Sequence, residues 1–229
     1  MNYAPRTIGF QCDLLHPAVR VEPGPLQRLH ARWSETRQAC YANFQVAPEG
    51  VILSNPVPAG GAVSHLAVLH DRLQFREDLT GLSLEEFSER VAGLVDACVE
   101  ARGLRQFLAL QVAVRTLINL RHHSDSRAFL RQAMFRFREE LDAFGREPQL
   151  LGLRLAFPGT ERDPSLHVLR IESFHADPRS LFLEDQATFP PAAIASAGAG
   201  ARSALSATYR FTTERAVRFV ASFDARQKA

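Results

Sequence analysis

The chain has 229 residues, 46% of them hydrophobic and 23% charged, with a formal net charge of +2. That composition supplies a sizeable core, excludes a disordered chain, and lacks the strongly basic balance of a dedicated nucleic-acid binder. Lys228 is the single lysine, so the other 26 basic residues are arginine, a chain-wide bias that argues against reading each arginine as a phosphate ligand.

In chain order, Thr7 to Leu15 alternates with Ile8, Phe10, Cys12 and Leu14 on one side, which predicts a strand. Pro23-Gly24-Pro25 punctuates. A helix is expected from Pro25 to about Cys40, on the spacing of Leu26, Leu29 and Trp33. Short strands over Ala42–Val46 and Val51–Ser54 flank Pro48-Glu49-Gly50, and 55–61 is a loop. Val63 to Phe75 reads as strand with a bend or turn at His70-Asp71-Arg72.

The next helix has the clearest ends. Ser83 and Glu86 form a capping box, Leu82 and Phe87 a hydrophobic staple, and Gly103 stands at the C-terminal cap. Its apolar stripe is Phe87, Val91, Leu94, Val95 and Cys98. Phe107 to Arg121 is a long strand with Leu108, Leu110, Val112, Val114, Thr116, Ile118 and Leu120 on one face, a pattern that belongs at the middle of a sheet. A third helix is expected over Ser126–Phe144, ended by Gly145. Strands follow over Leu150–Phe157, Leu166–Phe174 and Ser180–Phe189. Residues 190–204, rich in Ala, Gly and Ser, read as a flexible loop. Leu205, Ala207, Tyr209 and Phe211 alternate as a last strand, and 213–225 favours helix.

Runs of strands with helices between them, without regular βαβ alternation, predict an α+β fold: a mainly antiparallel or mixed sheet with three or four helices packed on it. Strand, helix, several strands, helix occurs twice, which suggests one compact domain, 1–229, built of two similar halves, 5–104 and 105–229.

Cys12, Cys40 and Cys98 show no CxxC spacing, which excludes a disulfide framework and a zinc knuckle and fits a reducing compartment. With no signal-type segment after Arg6 and no apolar run of membrane-spanning length, the expectation is a cytoplasmic protein without a membrane contact. GxSxG, GxxxxGK[ST], GxGxxG and HExxH are absent, so no cofactor is expected.

Three residue sets carry chemistry. Gln111, Arg115, Asn119 and Arg121 alternate on the polar side of the long strand and could donate to a small anionic ligand, unless Glu172, Glu184 or Asp185 pair with them first. His122, His123 and Asp125, with His175 and Asp177 as a second half-site, have metal-ligating types; the alternative is that Ser124 or Asp125 caps the following helix. Arg127, Arg131 and Arg138 share one side of the third predicted helix and could meet nucleic acid, although Glu139, Glu140 and Asp142 dilute their field. Lone histidines such as His65, His70 and His167 read as hydrogen-bonded strand residues. Without a complete catalytic set, the sequence favours a non-catalytic binding or assembly protein that meets a protein partner or itself; a metal enzyme and a nucleic-acid binder are the alternatives.

Overall fold

The computed structural model describes residues 3–35, 41–137, 139–191 and 196–225. Its elements are β1 (Arg6–Leu15), α1 (Pro23–Glu35), β2 (Asn43–Ala47), β3 (Gly50–Ser54), β4 (Val63–Leu69), β5 (Arg72–Asp78), α2 (Leu84–Arg102) and β6 (Ala109–Asn119). Then come α3 (Ser126–Phe129), β7 (Gly152–Phe157), β8 (Leu166–Ser173), β9 (Ser180–Phe189), α4 (Ala197–Arg210) and α5 (Val217–Asp224). The strands make one antiparallel sheet in the order β2-β3-β4-β5-β1-β6-β9-β8-β7. This is an α+β fold, and no described helix is long and apolar enough to cross a membrane.

Period-2 alternation decides which side of the sheet the helices cover. Phe10, Cys12 and Leu14 of β1 and Val112 and Val114 of β6 point to one side, where they form a buried core with Phe87, Val91 and Val95 of α2 and Ala201 and Leu205 of α4. Further along, Ile118, Leu181 and Leu183 pack with Phe129, Leu130, Val217 and Val220. All the helices lie on this side, so among the described residues the opposite side of the sheet carries no helix. β1 and β6 pair at the centre. Outward from them each half runs in the same order: first strand, last strand, then the earlier strands in reverse.

α2 forms as its sequence predicts. Ser83 Oγ accepts from the Glu86 amide, Glu86 returns its carboxylate to the Ser83 amide at 2.8 Å, and Gly103 takes the left-handed conformation (φ 61°). Burial pushes the Cys98 thiol up to about 12 and the Cys12 thiol well above its usual value, so both behave as core packing. Cys40 and the predicted end of the first helix lie outside the described residues.

Three expectations are corrected. Residues 190–204 are not a loop throughout: α4 starts at Ala197, and Ala197, Ala201 and Ala204 are buried. A Cβ at Gly198 would stand 2.8 Å from the Ala92 carbonyl oxygen of α2, so the small residues are what let the two helices approach. Leu205 to Arg210 belongs to that helix rather than to a strand, because once α4 lies against α2 the helical face of Ala201, Ala204, Leu205 and Thr208 is buried. A π-helical segment, Phe211–Ala216, links it to α5. The helix predicted over 126–144 is broken: α3 passes into a π-turn over Leu130–Phe135 and stops at Arg136, whose φ is +58°. Only a 3₁₀ turn, Glu140–Phe144, follows, and Phe144 is 72% exposed. Val63–Phe75 is two strands, β4 and β5, turned at His70-Asp71.

Candidate functional site

The junction at 121–125 is organised by a residue from the far end of the chain. The Asp224 carboxylate, fully buried at the end of α5, accepts from the Arg121 amide (2.8 Å), the His122 amide (3.3 Å), the Tyr3 hydroxyl and His123 Nδ1 (2.7 Å). Burial pushes this carboxyl up, but the four donors outweigh it and leave it below its usual range. Asp125 accepts from the Ala128 amide at 2.7 Å as the N-cap of α3, and His122 is exposed. His122, His123 and Asp125 therefore do not converge. Among the described residues no three His, Cys, Asp or Glu side chains cluster to hold a metal ion. His175 shares a cavity of about 380 Å³ with Asp125, while Asp177 borders a different one.

The second predicted set divides. Asn119 accepts from Ser180 Oγ at 2.7 Å, and the Arg121 guanidinium lies 4.9 Å over the Tyr3 ring. Both border a cavity of about 590 Å³ with Arg6 and Asp177. Gln111 is exposed on the polar side, opposite Asp13 of β1 and Thr188 of β9. Arg115 is tied into the sheet. Its Nε donates to Glu184 at 2.6 Å, Nη1 to Asp78 at 3.0 Å and Nη2 to Gln11 at 3.2 Å.

These bonds belong to a larger structure on the helix-free face. Arg76, Asp78, Arg115, Glu184, Arg170 and Glu172 follow one another at 2.5, 3.0, 2.6, 3.4 and 3.5 Å, alternating in sign across the five adjacent strands from β5 to β8. The ladder crosses β1 because residue 9 is glycine. A Cβ there would lie 2.3 Å from Asp78 Oδ1 and 3.5 Å from the Arg115 side chain, so Gly9 opens the gap in which the two meet.

Two residues of the third set lie among the described ones. Arg131 pairs with Glu147 at 2.7 Å and Arg127 reaches the Pro148 carbonyl at 3.4 Å. Arg138 lies outside the described residues and beyond the break at Arg136.

A further cluster sits under the helices, where the sequence offers only a hydrogen-bonded His167. Ser165 and His167 are two residues apart at the start of β8, and Asp185 comes from β9. Ser165 Oγ is 3.0 Å from His167 Nε2, and His167 Nδ1 is 2.7 Å from Asp185 Oδ2. All three are buried, and the Phe211 ring stacks on His167 at 4.1 Å. Burial pushes the Asp185 carboxyl up, against the hydrogen bond from His167. The distances resemble an acyl-transfer triad; proton counting says otherwise. Ser165 Oγ also bonds Asp163, whose carboxyl this hydrogen bond holds below its usual range, so Asp163 is an acceptor and takes the one hydroxyl proton. With that proton committed to Asp163, the 3.0 Å contact between Ser165 and Nε2 is a hydrogen bond only if Nε2 is its donor. A hydrolase base needs a bare Nε2. A fluorophosphonate probe is therefore expected not to label Ser165, and labelling read by peptide mass spectrometry would restore a hydrolase reading.

No protein-family model and no curated protein matches this chain. The Ser-x-His spacing at the start of a strand was the one sequence signal for the buried cluster. Its completion by Asp163 and Asp185 depends on a hairpin and a strand register that sequence does not print.

Proposed function

We propose that this chain is a non-catalytic assembly protein whose helix-free sheet face docks on a second copy of itself. The alternating charge ladder carries this reading. A small anion at Arg115 would have to displace two carboxylates and an amide already on its guanidinium. A protein surface of matching pattern displaces nothing. The ladder is its own match, because six charges of alternating sign read as the opposite series from the other end. Turning a second copy face to face, about an axis along the strands between Arg115 and Glu184, sets Arg76 against Glu172, Asp78 against Arg170 and Arg115 against Glu184. That is the self-complementarity a two-fold interface requires. Nine strands at about 4.8 Å spacing make a face roughly 40 Å across, wide enough for the ~800 Å² per partner of a stable interface.

Sedimentation velocity on the full chain tests it. A dimer is expected at low salt, weakening as NaCl rises because attraction between solvent-accessible charges is screened over about 10 Å at 0.1 M. Arg170→Glu would set an acid against Asp78 and favour the monomer; Arg76→Glu, at the other end of the ladder, should do the same. A wild-type monomer at every concentration, or dimers indifferent to both reversals, would remove the reading.

A further inference from the structure

The charge ladder takes Arg115 from the polar row of the long strand and leaves Asn119 and Arg121. These two line a cavity of about 590 Å³ together with Tyr3, Arg6, Leu117 and Asp177. Arg6 reaches that cavity through a break in the alternation of β1. Phe10 points to the helices, so a regular strand would turn Arg6, four residues earlier, the same way. A β-bulge prevents this: Thr7 pairs with Thr116 and Gly9 with Arg115, and the residue between them is left over. Arg6 then stands opposite Leu117, on the same side of the sheet as Arg115. Bulges recur beside functional sites because they re-aim a side chain in this way, and the bulge sets Arg6 apart from the many other arginines of the chain.

The other walls are held by packing and hydrogen bonds. The Arg121 guanidinium lies 4.9 Å over the Tyr3 ring, whose hydroxyl is tied to the buried Asp224. Asn119 is anchored by the buried Ser180 at 2.7 Å, and the same Ser180 oxygen lies 2.7 Å from Asp177. That bond, with the Arg179 amide at 3.1 Å, holds the Asp177 carboxyl below its usual range, and the field of Arg6 reaches it as well. Asp177 is therefore ionised at neutral pH. The wall carries two guanidiniums, one carboxylate and one amide, with Leu117 as an apolar, buried floor. A few polar groups converging on a space of this size is the pattern of a small-molecule site.

We propose that this cavity binds an amino dicarboxylate, its two carboxylates met by Arg6 and Arg121 and its ammonium by Asp177. Two cations and one acid on the wall are the reverse of two acids and one cation on the ligand, and guanidinium is the donor suited to a carboxylate. A phosphate dianion would match the arginines but set its charge against Asp177. A simple monocarboxylate would engage one arginine and leave Asp177 without a role. The site does not rest on the sheet-face reading, and Arg170→Glu, which that reading makes monomeric, leaves all of its residues in place.

The test is a titration of L-glutamate into the full chain and into Arg170→Glu, with ionic strength held constant by NaCl and binding read by calorimetry and by the shift in Tm. Saturable binding is expected in both. It should be about tenfold or more tighter than that of glutarate, which lacks the ammonium, or of glutamine, which lacks the second carboxylate. Arg6 is exposed, so Arg6→Gln should fold like the wild type and weaken glutamate binding about tenfold. Asp177→Asn should erase the preference for glutamate over glutarate. Binding by Arg170→Glu alone would support the site and mean that docking covers it. No saturable glutamate binding by either protein, or binding that Arg6→Gln leaves unchanged, would overturn the proposal. Glutarate bound as tightly as glutamate would overturn the assignment to amino dicarboxylates.

Discussion

Asp224→Ala is expected to lower stability by about 3–5 kcal/mol, the usual result of removing one member of a buried, hydrogen-bonded charge cluster. The substitution strands four donors at once: the Tyr3 hydroxyl, the Arg121 and His122 amides and His123 Nδ1. Those groups belong to the N-terminal segment and to residues 121–123 between β6 and α3, so the carboxylate at the end of α5 joins three stretches far apart in sequence. Chemical denaturation of the two proteins measures the loss. The pH dependence has a definite sign. A carboxyl held below its unfolded value binds protons less readily in the folded state, so its contribution is complete above the unfolded pKa and is lost as pH falls through the folded one. The gap between wild type and Asp224→Ala should therefore be widest near neutral pH and should narrow below about pH 4. A gap that stays constant down to pH 3 would mean that Asp224 acts through packing and not through charge.

What could be read in the sequence was local. The capping box at Ser83 and Glu86, the stop at Gly103 and the alternation along β1 and β6 all operate within a few residues, and each appears where it was expected. The errors share a different origin. Ala197, Gly198, Ala201 and Ala204 look like a linker until α2 lies against them, because small residues serve a close helix crossing as well as a loose chain. Arg136 ends its helix in a left-handed conformation that usually announces itself by glycine or asparagine, so nothing in the letters marks the stop. The candidate sites follow the same rule. The sequence marks His123 and Arg115 and offers Glu184 as a partner for the latter, but Asp224 and Asp78, which complete the two clusters, lie 101 and 37 residues from them.

The sheet order bears on how such a chain was built. In each half the first strand pairs with the last, and that last strand turns one buried acid toward the helices: Glu77 in β5 and Asp185 in β9. Each acid is answered from the strand before it. Ser64 donates to Glu77 at 2.8 Å, aided by Arg90 of α2 at 2.5 Å, and His167 meets Asp185 at 2.7 Å with Ser165 behind it. The two strand series meet along β1 and β6, and that seam is where Gly9 leaves room for Asp78 and Arg115 to bring their charges together.

Arg115→Met should therefore cost the most of any substitution on the open face, about 3 kcal/mol at the lower end of the range for a broken buried pair. The Glu184 side chain is only 5% exposed and would lose its 2.6 Å partner, keeping the more distant Arg170 at 3.4 Å. Asp78 would keep Arg76 at 2.5 Å and suffer less. The deficit should thus sit on Glu184, and a double-mutant cycle can locate it. Adding Glu184→Gln to Arg115→Met removes the stranded charge, so the pair should be more stable than Arg115→Met alone, whereas Glu184→Gln in the wild type should destabilise. Additive losses would mean that the two side chains are not coupled and that Arg115 acts as a packing element over Gly9. Coupling would also reach assembly. With Arg115 gone the ladder reads one cation, one acid, a gap, then acid, cation and acid, and no longer matches its own reversal. In the double mutant the series is cation, acid, two neutral positions, cation and acid, which again matches its own reversal, so it should recover stability and also part of the dimerisation that Arg115→Met alone loses, short of the central Arg115–Glu184 contacts.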